Sequence, residues 1–299
     1  MDLRQAFGIR IGSELPLPEL APLDGGEVDV EVRLGAVPTM LDGARRVGRR
    51  GQAAPDAFLL DIEGAGRFLA RGGAEITVDV APAAAPERVK LFLLGTMLGA
   101  LCYQRGLLPL HANAVAADGR CVALAGDSGA GKSTLGARLV QSGCAFVADD
   151  VCALAFDAQG KGWAQPGVRH AKLWSDALAA MGRPTDGLAR VVDGRDKYAA
   201  PIDEAAPAGA LPFDRLYLLG RADGAPPAIR RLGGTEALQG VIANLYRRNV
   251  GLALAGRAQV YAQALALITG APVFRFERPW GFAAMDEGLA ALRRHLGER

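Results

Sequence analysis

One short segment constrains this chain more than any other feature of its sequence. Residues Gly126–Thr134 read Gly-Asp-Ser-Gly-Ala-Gly-Lys-Ser-Thr and fit the phosphate-binding pattern G-x-x-x-x-G-K-[ST]. The apolar run Cys121–Ala125 before the segment is typical of a strand. The spacing of Leu135, Leu139 and Val140 after it predicts a helix with one apolar side. This motif binds phosphate when it forms the loop between a strand and a helix. The sequence therefore predicts a phosphate site at the end of a strand.

Each residue type in this segment has a physical purpose. The glycines at 126, 129 and 131 allow the backbone to wrap closely around an anion, and successive N–H groups supply partial positive charge. We predict that Lys132 reaches the β- and γ-phosphates of a nucleotide and that the Ser133 hydroxyl serves Mg²⁺. The residues predicted to bind ATP are Gly126, Asp127, Ser128, Gly129, Ala130, Gly131, Lys132, Ser133 and Thr134.

Two adjacent carboxylates, Asp149 and Asp150, follow the apolar run Ala145–Ala148, and the first lies seventeen residues after Lys132. A phosphoryl-transfer site needs an acid that orders the metal and usually a base for the incoming hydroxyl. We expect a parallel strand beside the loop to deliver both carboxylates, on opposite faces, so that one serves Mg²⁺ and the other the acceptor. A base so placed contributes roughly 10²–10⁴ to the rate. The simpler alternative is a solvated acidic turn.

The rest of the chain divides by its hydrophobic pattern. Residues 1–85 alternate apolar and polar side chains, which predicts a small β-rich N-terminal domain with an exposed polar connection at 43–55. Residues 86–299 mix strand and helix patterns, which predicts an α/β catalytic domain. The predicted strands are Phe7–Ile11, Val28–Leu34, Ile76–Val80, Ala112–Ala117, Cys121–Ala125, Ala145–Ala148, Leu211–Leu219 and Pro272–Phe276. The predicted helices are Val89–Gln104, Lys132–Ser142, Asp176–Met181, Glu236–Tyr246, Ala258–Thr269 and Ala283–His295.

Composition limits the class of protein and its partners. Half of the residues are hydrophobic, and 34 Lys and Arg against 32 Asp and Glu leave a net charge of +2. This balance argues against nucleic acid or an anionic membrane as the partner. The four cysteines form no CxxC pair, and the first residues lack the apolar run of a signal peptide. The apolar run Leu91–Tyr103 is shorter than the roughly 20 residues of a membrane span, so we expect a cytoplasmic protein without such spans.

Three segments between residues 111 and 150 resemble the catalytic domain of the HPr kinase/phosphorylase family. They are the run His-Ala-Asn-Ala-Val from His111, the loop, and the run Gly-Cys-Ala-Phe-Val-Ala-Asp-Asp that ends at Asp150. The resemblance implies an HPr-kinase-like catalytic core in which Asp149 is the base and Ser133 and Asp150 hold Mg²⁺. It also implies that His111 lies beside the catalytic aspartate and that the protein forms a homo-oligomer.

The residues leave an alternative role for His111 open and argue against the reverse reaction. The residues alone leave open that His111 is a core histidine that donates to a backbone carbonyl. The acidic signature of phosphorylase-competent family members is missing after Asp150, where Pro166–Trp174 stands instead. We therefore do not expect the reverse, phosphorylase reaction.

A softer similarity extends over most of the chain. The runs Phe7–Leu20, Arg105–Val115 and Lys172–Leu178 resemble the HPr-kinase-like proteins encoded with lasso-peptide biosynthesis, which phosphorylate a serine at the C-terminus of the precursor peptide. The resemblance implies a serine kinase that uses Mg²⁺ and ATP, with a lasso precursor peptide as its partner.

Basic residues after the carboxylate pair form a further set of candidates. Cations there would stabilise the charge that develops in phosphoryl transfer, and a solvated loop is the equally weighted alternative. Trp163 and Trp174 are predicted to be packing residues, and His170 and His295 to be structural. The candidate cations are Arg169, Lys172, Arg190, Arg195 and Lys197.

Two other functions remain open from the residues. A small-metabolite kinase is possible because shikimate-type kinases also place acidic residues soon after the loop, although a β-rich domain before it favours a larger acceptor. A nucleotide-sensing module would bind ATP without transferring phosphate. Replacing Asp149 by Asn distinguishes these classes, because it should abolish a kinase and leave nucleotide affinity largely intact.

Overall fold

The computed structural model describes residues 1–180, 182–191, 196–201, 207–222, 224–281 and 284–297. Its first part is a nine-stranded sheet, which confirms the β-rich N-terminal region. The strands are β1 (Asp2–Ala6), β2 (Ile9–Ser13), β3 (Ala21–Pro22), β4 (Val30–Leu34), β5 (Arg45–Val47), β6 (Gly51–Ala54), β7 (Ala57–Ile62), β8 (Gly66–Arg71) and β9 (Glu75–Val80). They lie in the order β3-β1-β2-β4-β9-β8-β7-β6-β5.

The expectation of an exposed connection at 43–55 is wrong in part. Arg45 and Arg46 are exposed, but β5 and β6 form an antiparallel hairpin there. Gly48 supplies a left-handed residue in the connecting turn, with φ of 66°. Gly51 lets the Phe58 ring approach, since a Cβ at Gly51 would lie 3.1 Å from that ring. Packing against the next strand therefore outweighs the low strand propensity of the segment.

A helical segment follows the N-terminal sheet. It consists of α1 (Pro86–Phe92), a π-helical turn (Leu93–Met97) and α2 (Leu98–Gln104), where the sequence predicts one uninterrupted helix. Leu93 and Met97 are buried in the same core as Phe58 and Phe68 of the N-terminal sheet. The helical segment is thus packed against that sheet, and the domain boundary at residue 85 stays a prediction.

The second part of the chain contains a mixed sheet, a small sheet and helices, which confirms the α/β fold class. Its strands are β10 (Leu108–Leu110), β11 (Ala112–Ala117), β12 (Arg120–Ala125), β13 (Ala145–Ala148), β14 (Cys152–Phe156), β15 (Gly162–Gln165), β16 (His170–Trp174), β17 (Ala189–Arg190), β18 (Lys197–Pro201), β19 (Leu211–Arg221), β20 (Ala228–Arg231) and β21 (Val273–Arg278). Its helices are α3 (Lys132–Gln141), α4 (Ser175–Ala180), α5 (Gly234–Ala243), α6 (Arg248–Leu254), α7 (Gly256–Gly270) and α8 (Met285–Gly297). In the part of the chain that is described, no helix combines the length and apolar character needed to cross a membrane.

The order of the mixed sheet places the loop and the carboxylates at one edge. The order is β10-β14-β15-β19-β12-β11-β13, with β21 beside β19 and β20 beside β21. The expectation that the carboxylate strand lies beside the loop strand is wrong, because β11 lies between them and is antiparallel to both. Because β12 and β13 are both antiparallel to β11, these two strands run in the same direction. β13 therefore still ends at the same edge of the sheet as β12. The strands β16, β18 and β17 form the separate small sheet.

Candidate active site

The loop between β12 and α3 turns on three glycines with positive φ. The φ angles are 145° at Gly126, 88° at Gly129 and 81° at Gly131. A Cβ at Gly131 would lie 2.5 Å from Nη2 of Arg278, and a Cβ at Gly126 would lie 3.0 Å from the Leu219 carbonyl oxygen. Both positions therefore require glycine for conformation and for space. Gly129 faces open space, so only its conformation favours glycine.

Lys132 lies against the loop that precedes it. The side chain is buried, and Nζ donates to the backbone oxygens of Gly126 at 2.8 Å and Asp127 at 3.1 Å. Burial lowers the pKa of the ammonium group, while the carboxylates of Asp149 and Asp150 act in the opposite direction. The site thus contains a cation whose charge is only partly balanced by its surroundings.

Asp149 is a buried carboxylate with neutral hydrogen-bond donors. Ser133 Oγ donates to its Oδ1 at 2.9 Å, and the side-chain amide of Asn113 donates to the same oxygen at 3.2 Å. The backbone N–H of Lys172 donates to Oδ2 at 2.7 Å. These contacts join the loop, β11 and β16 at one side chain, so the carboxylate is held in place from three directions.

Asn113 belongs to the site, although the sequence analysis assigned it no role. The pairing of β11 with β13 sets Ala114 opposite Ala148, which brings Asn113 to Asp149. Its side chain is 1% exposed and packs against α3 at Gly136, where a Cβ would collide with the Asn113 amide. A register between strands that are distant in sequence creates this contact, so no local pattern could have predicted it.

Asp150 has a charged lysine and a histidine as its partners instead. Lys172 Nζ lies 2.6 Å from its Oδ2, and His111 Nδ1 lies 3.1 Å from its Oδ1. Burial alone would raise the pKa of this carboxyl, but the Lys172 charge and the His111 contact outweigh burial and hold the pKa well below its usual range. The Asp150 backbone has φ of 69°, a left-handed conformation that costs a non-glycine residue about 1–2 kcal/mol. The surrounding contacts maintain this strained conformation.

The position of His111 differs from the expectation. The resemblance places it beside the catalytic aspartate, Asp149, whereas the structure places its ring on Asp150. The reason is the strand register, which gives the place beside Asp149 to Asn113. His111 is not a core residue, because its side chain is 36% exposed, but its Nδ1 also lies 3.1 Å from the backbone oxygen of Asp150, which agrees with the alternative of a contact to a backbone carbonyl.

A cavity of about 290 Å³ opens at the loop. We name it the loop cavity. It is lined by the loop residues 128–134, by the carboxylate pair and by several side chains from later in the chain. The latter include Lys172, Trp174, Lys197, Arg278 and Trp280.

The predicted basic residues have different locations. Lys172 and Lys197 line the loop cavity, whereas Arg190 pairs with Asp196 at 3.4 Å, away from that cavity. Arg169 is not among the residues that line the loop cavity in the described part of the chain. Arg195 lies outside the described residues.

The structure also bears on the roles predicted for two tryptophans and for His295. Trp174 is 40% exposed at the loop cavity, so it is not the packing residue that we expected. Trp163 is half-buried and donates from Nε1 to Asp157 at 3.0 Å. His295 lies 2.6 Å from the hydroxyl of Tyr217 and is structural, as expected.

Arg278 is a second functional candidate, besides Asn113, that sequence reasoning missed. It ends β21 and is 4% exposed, and its Nη2 donates to the Ala130 carbonyl oxygen at 3.2 Å. Burial lowers its pKa, and its Nε has no hydrogen-bond partner among the described residues. Among the described residues, the buried guanidinium of Arg278 has no carboxylate partner. This indicates an anion site. The signal was present in the sequence, but the predicted strand ended at Phe276 and left Arg278 out.

The oxygen atoms near the loop fit one type of metal site. The Ser133 hydroxyl adjoins Asp149, while Asp150 lies next to Lys172 and His111. Within the described ranges, no three His, Cys, Asp or Glu side chains form a group that could hold a metal by themselves. Mg²⁺ normally binds one or two carboxylates together with waters and phosphates. The donor set therefore fits a magnesium ion shared with a nucleotide.

Comparisons with known proteins add little to this geometry. No protein-family profile and no curated protein matches the chain. Among solved structures, the Hpr(Ser) kinase/phosphatase from Coxiella burnetii is similar to this chain at 17% sequence identity with a TM-score of 0.32. The similarity covers 64% of this chain and 99% of that chain. At this level it carries no argument about activity, and the functional conclusion depends on the site itself.

Proposed function

We propose that the protein is a phosphotransferase that uses Mg²⁺ and ATP to phosphorylate a hydroxyl group. One observation carries the proposal, namely a phosphate-binding loop whose Ser133 is hydrogen-bonded to the buried carboxylate of Asp149. In the proposed reaction the Asp149 carboxylate would lie next to the γ-phosphate and accept the hydroxyl proton. A site that only senses a nucleotide would not use this carboxylate as a base.

The proposed reaction is an in-line transfer. The acceptor hydroxyl oxygen forms a bond to the γ-phosphorus of ATP, and the bond from this phosphorus to the bridging oxygen breaks. ADP leaves with the electron pair of the broken bond, and the hydroxyl proton passes to the Asp149 carboxylate. Positioning and charge stabilisation supply most of the rate enhancement in such reactions.

Asp149 suits the role of base better than Asp150. The Lys172 charge and the His111 contact hold the pKa of Asp150 well below its usual range, which makes it a weak proton acceptor. The donors to Asp149 are a hydroxyl, an amide and a peptide N–H, none of which carries a charge. Asp150 remains ionised and would hold Mg²⁺ together with Ser133.

The remaining charge of the phosphates would fall mainly to the two cations next to the loop. Lys132 and Arg278 both line the loop cavity, and the backbone N–H groups of Gly126–Thr134 would surround the phosphates. Mg²⁺, when bound, would neutralise charge on the transferred group. Preorganised donors of this kind are each worth roughly 10²–10³ in rate.

The acceptor that we propose is a serine at the C-terminus of a lasso precursor peptide. The similarity of Phe7–Leu20 and Lys172–Leu178 to kinases of lasso-peptide biosynthesis supports this choice. We also propose a β-rich domain at 1–85, a catalytic domain at 86–299, a cytoplasmic location and a homo-oligomer. No nucleic acid or membrane partner is proposed.

Intact-mass spectrometry tests the proposal. A precursor peptide that ends in Ser is incubated with the protein, Mg²⁺ and ATP, in parallel with the variants Asp149→Asn and Asp42→Asn. We expect a step of about 80 Da, one HPO₃ group, with the wild type and with the surface control Asp42→Asn, and none with Asp149→Asn.

The other outcomes separate the competing hypotheses. Equal modification by Asp149→Asn and the wild type would exclude Asp149 as the base. Bound ATP with no transfer to peptides would favour the sensor, and transfer only to small alcohols would favour the metabolite kinase.

A further inference from the structure

A second cavity of about 280 Å³ adjoins the loop cavity. Asp149, Asp150 and Lys172 line both cavities. The rest of its wall comes from the N-terminal region, the helical segment at 86–97, the residues before β16 and the small sheet. The two cavities therefore meet at the side chains to which we assign the chemistry.

We propose that the second cavity receives the acceptor as a peptide segment in which an apolar residue precedes the residue that carries the hydroxyl. This inference rests on the proposed phosphotransferase function. In-line transfer requires the acceptor oxygen to approach the γ-phosphate from the side opposite the leaving ADP. Two cavities that share the carboxylate pair provide separate entrances to it, one for the nucleotide and one for the acceptor.

The lining of the second cavity indicates the chemistry of the acceptor. Leu91, Leu94, Val168 and Leu188 present half-buried apolar side chains to it. The wall also includes charged residues, among them Glu87, Lys90 and Arg190, which would bind polar groups of the acceptor. An apolar side chain next to the reacting hydroxyl would gain from burial against the four apolar residues.

A carboxylate in the same cavity indicates that the acceptor peptide carries a hydrogen-bond donor. Glu19 lines the cavity and accepts from Lys90 Nζ through Oε1 at 2.6 Å. Its Oε2 is buried and has no hydrogen-bond partner among the described residues. A buried hydrogen-bond acceptor without a partner costs about 1–3 kcal/mol. A backbone N–H or amino group of the peptide that donates to this oxygen would therefore stabilise the complex.

The test uses a variant that fills the second cavity with a larger side chain and leaves the loop unchanged. Ala189 is exposed on the edge strand β17 and lines the second cavity, so Ala189→Trp adds bulk there. Ala228 is exposed on the edge strand β20 and lines neither cavity among the described residues, so Ala228→Trp is the matched control. The probes are two synthetic peptides of equal length that end in Leu-Ser or in Asp-Ser.

We expect the wild type to phosphorylate the Leu-Ser peptide with a kcat/KM at least about tenfold above that of the Asp-Ser peptide. Ala189→Trp should lower kcat/KM for the Leu-Ser peptide by about tenfold, mainly through KM. ATP affinity, measured by direct binding, should stay unchanged in both variants. Ala228→Trp should behave as the wild type with both peptides.

Several results would overturn the assignment. Wild-type kinetics of Ala189→Trp with the Leu-Ser peptide would exclude the second cavity as the acceptor site. An equal preference for both peptides would exclude the apolar flank. If the wild type binds ATP and phosphorylates neither peptide but a small alcohol, the peptide acceptor is wrong, and if it phosphorylates no acceptor, the proposed function fails and the assignment with it.

Discussion

The loop cavity and the second cavity differ in how much of their wall is continuous in sequence. One segment, Ser128–Thr134, supplies seven of the residues that line the loop cavity, although others come from as far apart as His111 and Met285. The second cavity takes residues as distant in sequence as Glu19 and Pro201. Phosphate binding needs only a short backbone turn before a helix, whereas recognition of a particular acceptor needs a wall assembled from several elements. Specificity in this protein is therefore expected to depend on the second cavity.

Lys172 connects the two cavities. Its backbone N–H donates to Asp149 and its ammonium group pairs with Asp150, so one residue of the short strand β16 holds both carboxylates. A change confined to the loop cavity should alter nucleotide affinity, and one confined to the second cavity should alter acceptor KM. A change at Lys172 should alter both.

The largest effect is expected at Arg278, on the nucleotide side. Arg278→Met removes the buried guanidinium beside Gly131 and should lower kcat/KM for ATP by roughly 10²–10³, because charge on the phosphates loses a fixed partner. Arg278→Lys should recover part of this loss. Steady-state kinetics at varied ATP measure it, with Arg46→Met on the exposed strand β5 as control. An unchanged kcat/KM for ATP would remove Arg278 from the site.

A pair of loop glycines tests how closely the loop fits around its anion. Both Gly129→Ala and Gly131→Ala incur the cost of a left-handed alanine, about 1–2 kcal/mol. Only Gly131→Ala also pushes against the Arg278 guanidinium, so it should weaken ATP binding roughly tenfold more. Calorimetric titration with ATP measures the difference. Equal losses would mean that the contact with Arg278 has no part in nucleotide binding.

At the shared wall, Lys172→Met should change the pH dependence of activity. The Lys172 charge holds the pKa of Asp150 below its usual range, so its removal lets this pKa rise. Asp150 then becomes protonated at higher pH, and the acid limb of the kcat/KM profile moves upward in pH. Lys161→Met, at an exposed lysine, is the control and should leave the profile unchanged. A profile of Lys172→Met that matches the wild type would contradict the coupling.

The same variant has a stability consequence. The lowered pKa of Asp150 means that the ion pair stabilises the fold at pH values above the unfolded pKa, about 3.9, and that this stability is lost as pH falls through the folded pKa. Because both side chains are about a quarter exposed, we expect Lys172→Met to cost about 2 kcal/mol at pH 7. Urea denaturation at pH 7 measures this loss, and a change within error would contradict the predicted contribution.

The smallest effect is expected at Glu19, on the acceptor side. Glu19→Gln keeps the shape of the side chain and replaces a carboxylate by an amide. Acceptor KM should rise about threefold to tenfold, because a charged acceptor of a hydrogen bond becomes neutral. ATP affinity should not change, and Glu63→Gln on the exposed surface serves as control. An equal effect on ATP affinity would remove the distinction between the two cavities.

Much of the nucleotide side was predictable from the sequence. The strand before the loop and the helix after it have nearly the predicted ends, with β12 at Arg120–Ala125 and α3 at Lys132–Gln141. The carboxylate strand Ala145–Ala148 was predicted without error. These features depend on local periodicity and on one contiguous motif, both of which a sequence displays directly.

Other parts of the site were not predictable in this way. The short strands β16, β17 and β18 were missed because strands of two to five residues leave a weak periodic signal. The hairpin of β5 and β6 was missed because packing overrides its low strand propensity. Asn113 and Glu19 meet the site through contacts that span tens of residues or more, and the same is true of the contacts that tie Lys172, a predicted cation, to both carboxylates.

The sequence by itself determined the glycine-rich loop between a strand and a helix, the α/β class and the presence of two carboxylates near the loop. Each follows from residues that are neighbours in the chain. Only the tertiary structure decided that β11 lies between the loop strand and the carboxylate strand, and that His111 meets Asp150 and not Asp149. The physical reason is that strand order and register are set by packing between distant segments, and a one-residue shift in register changes which side chains meet.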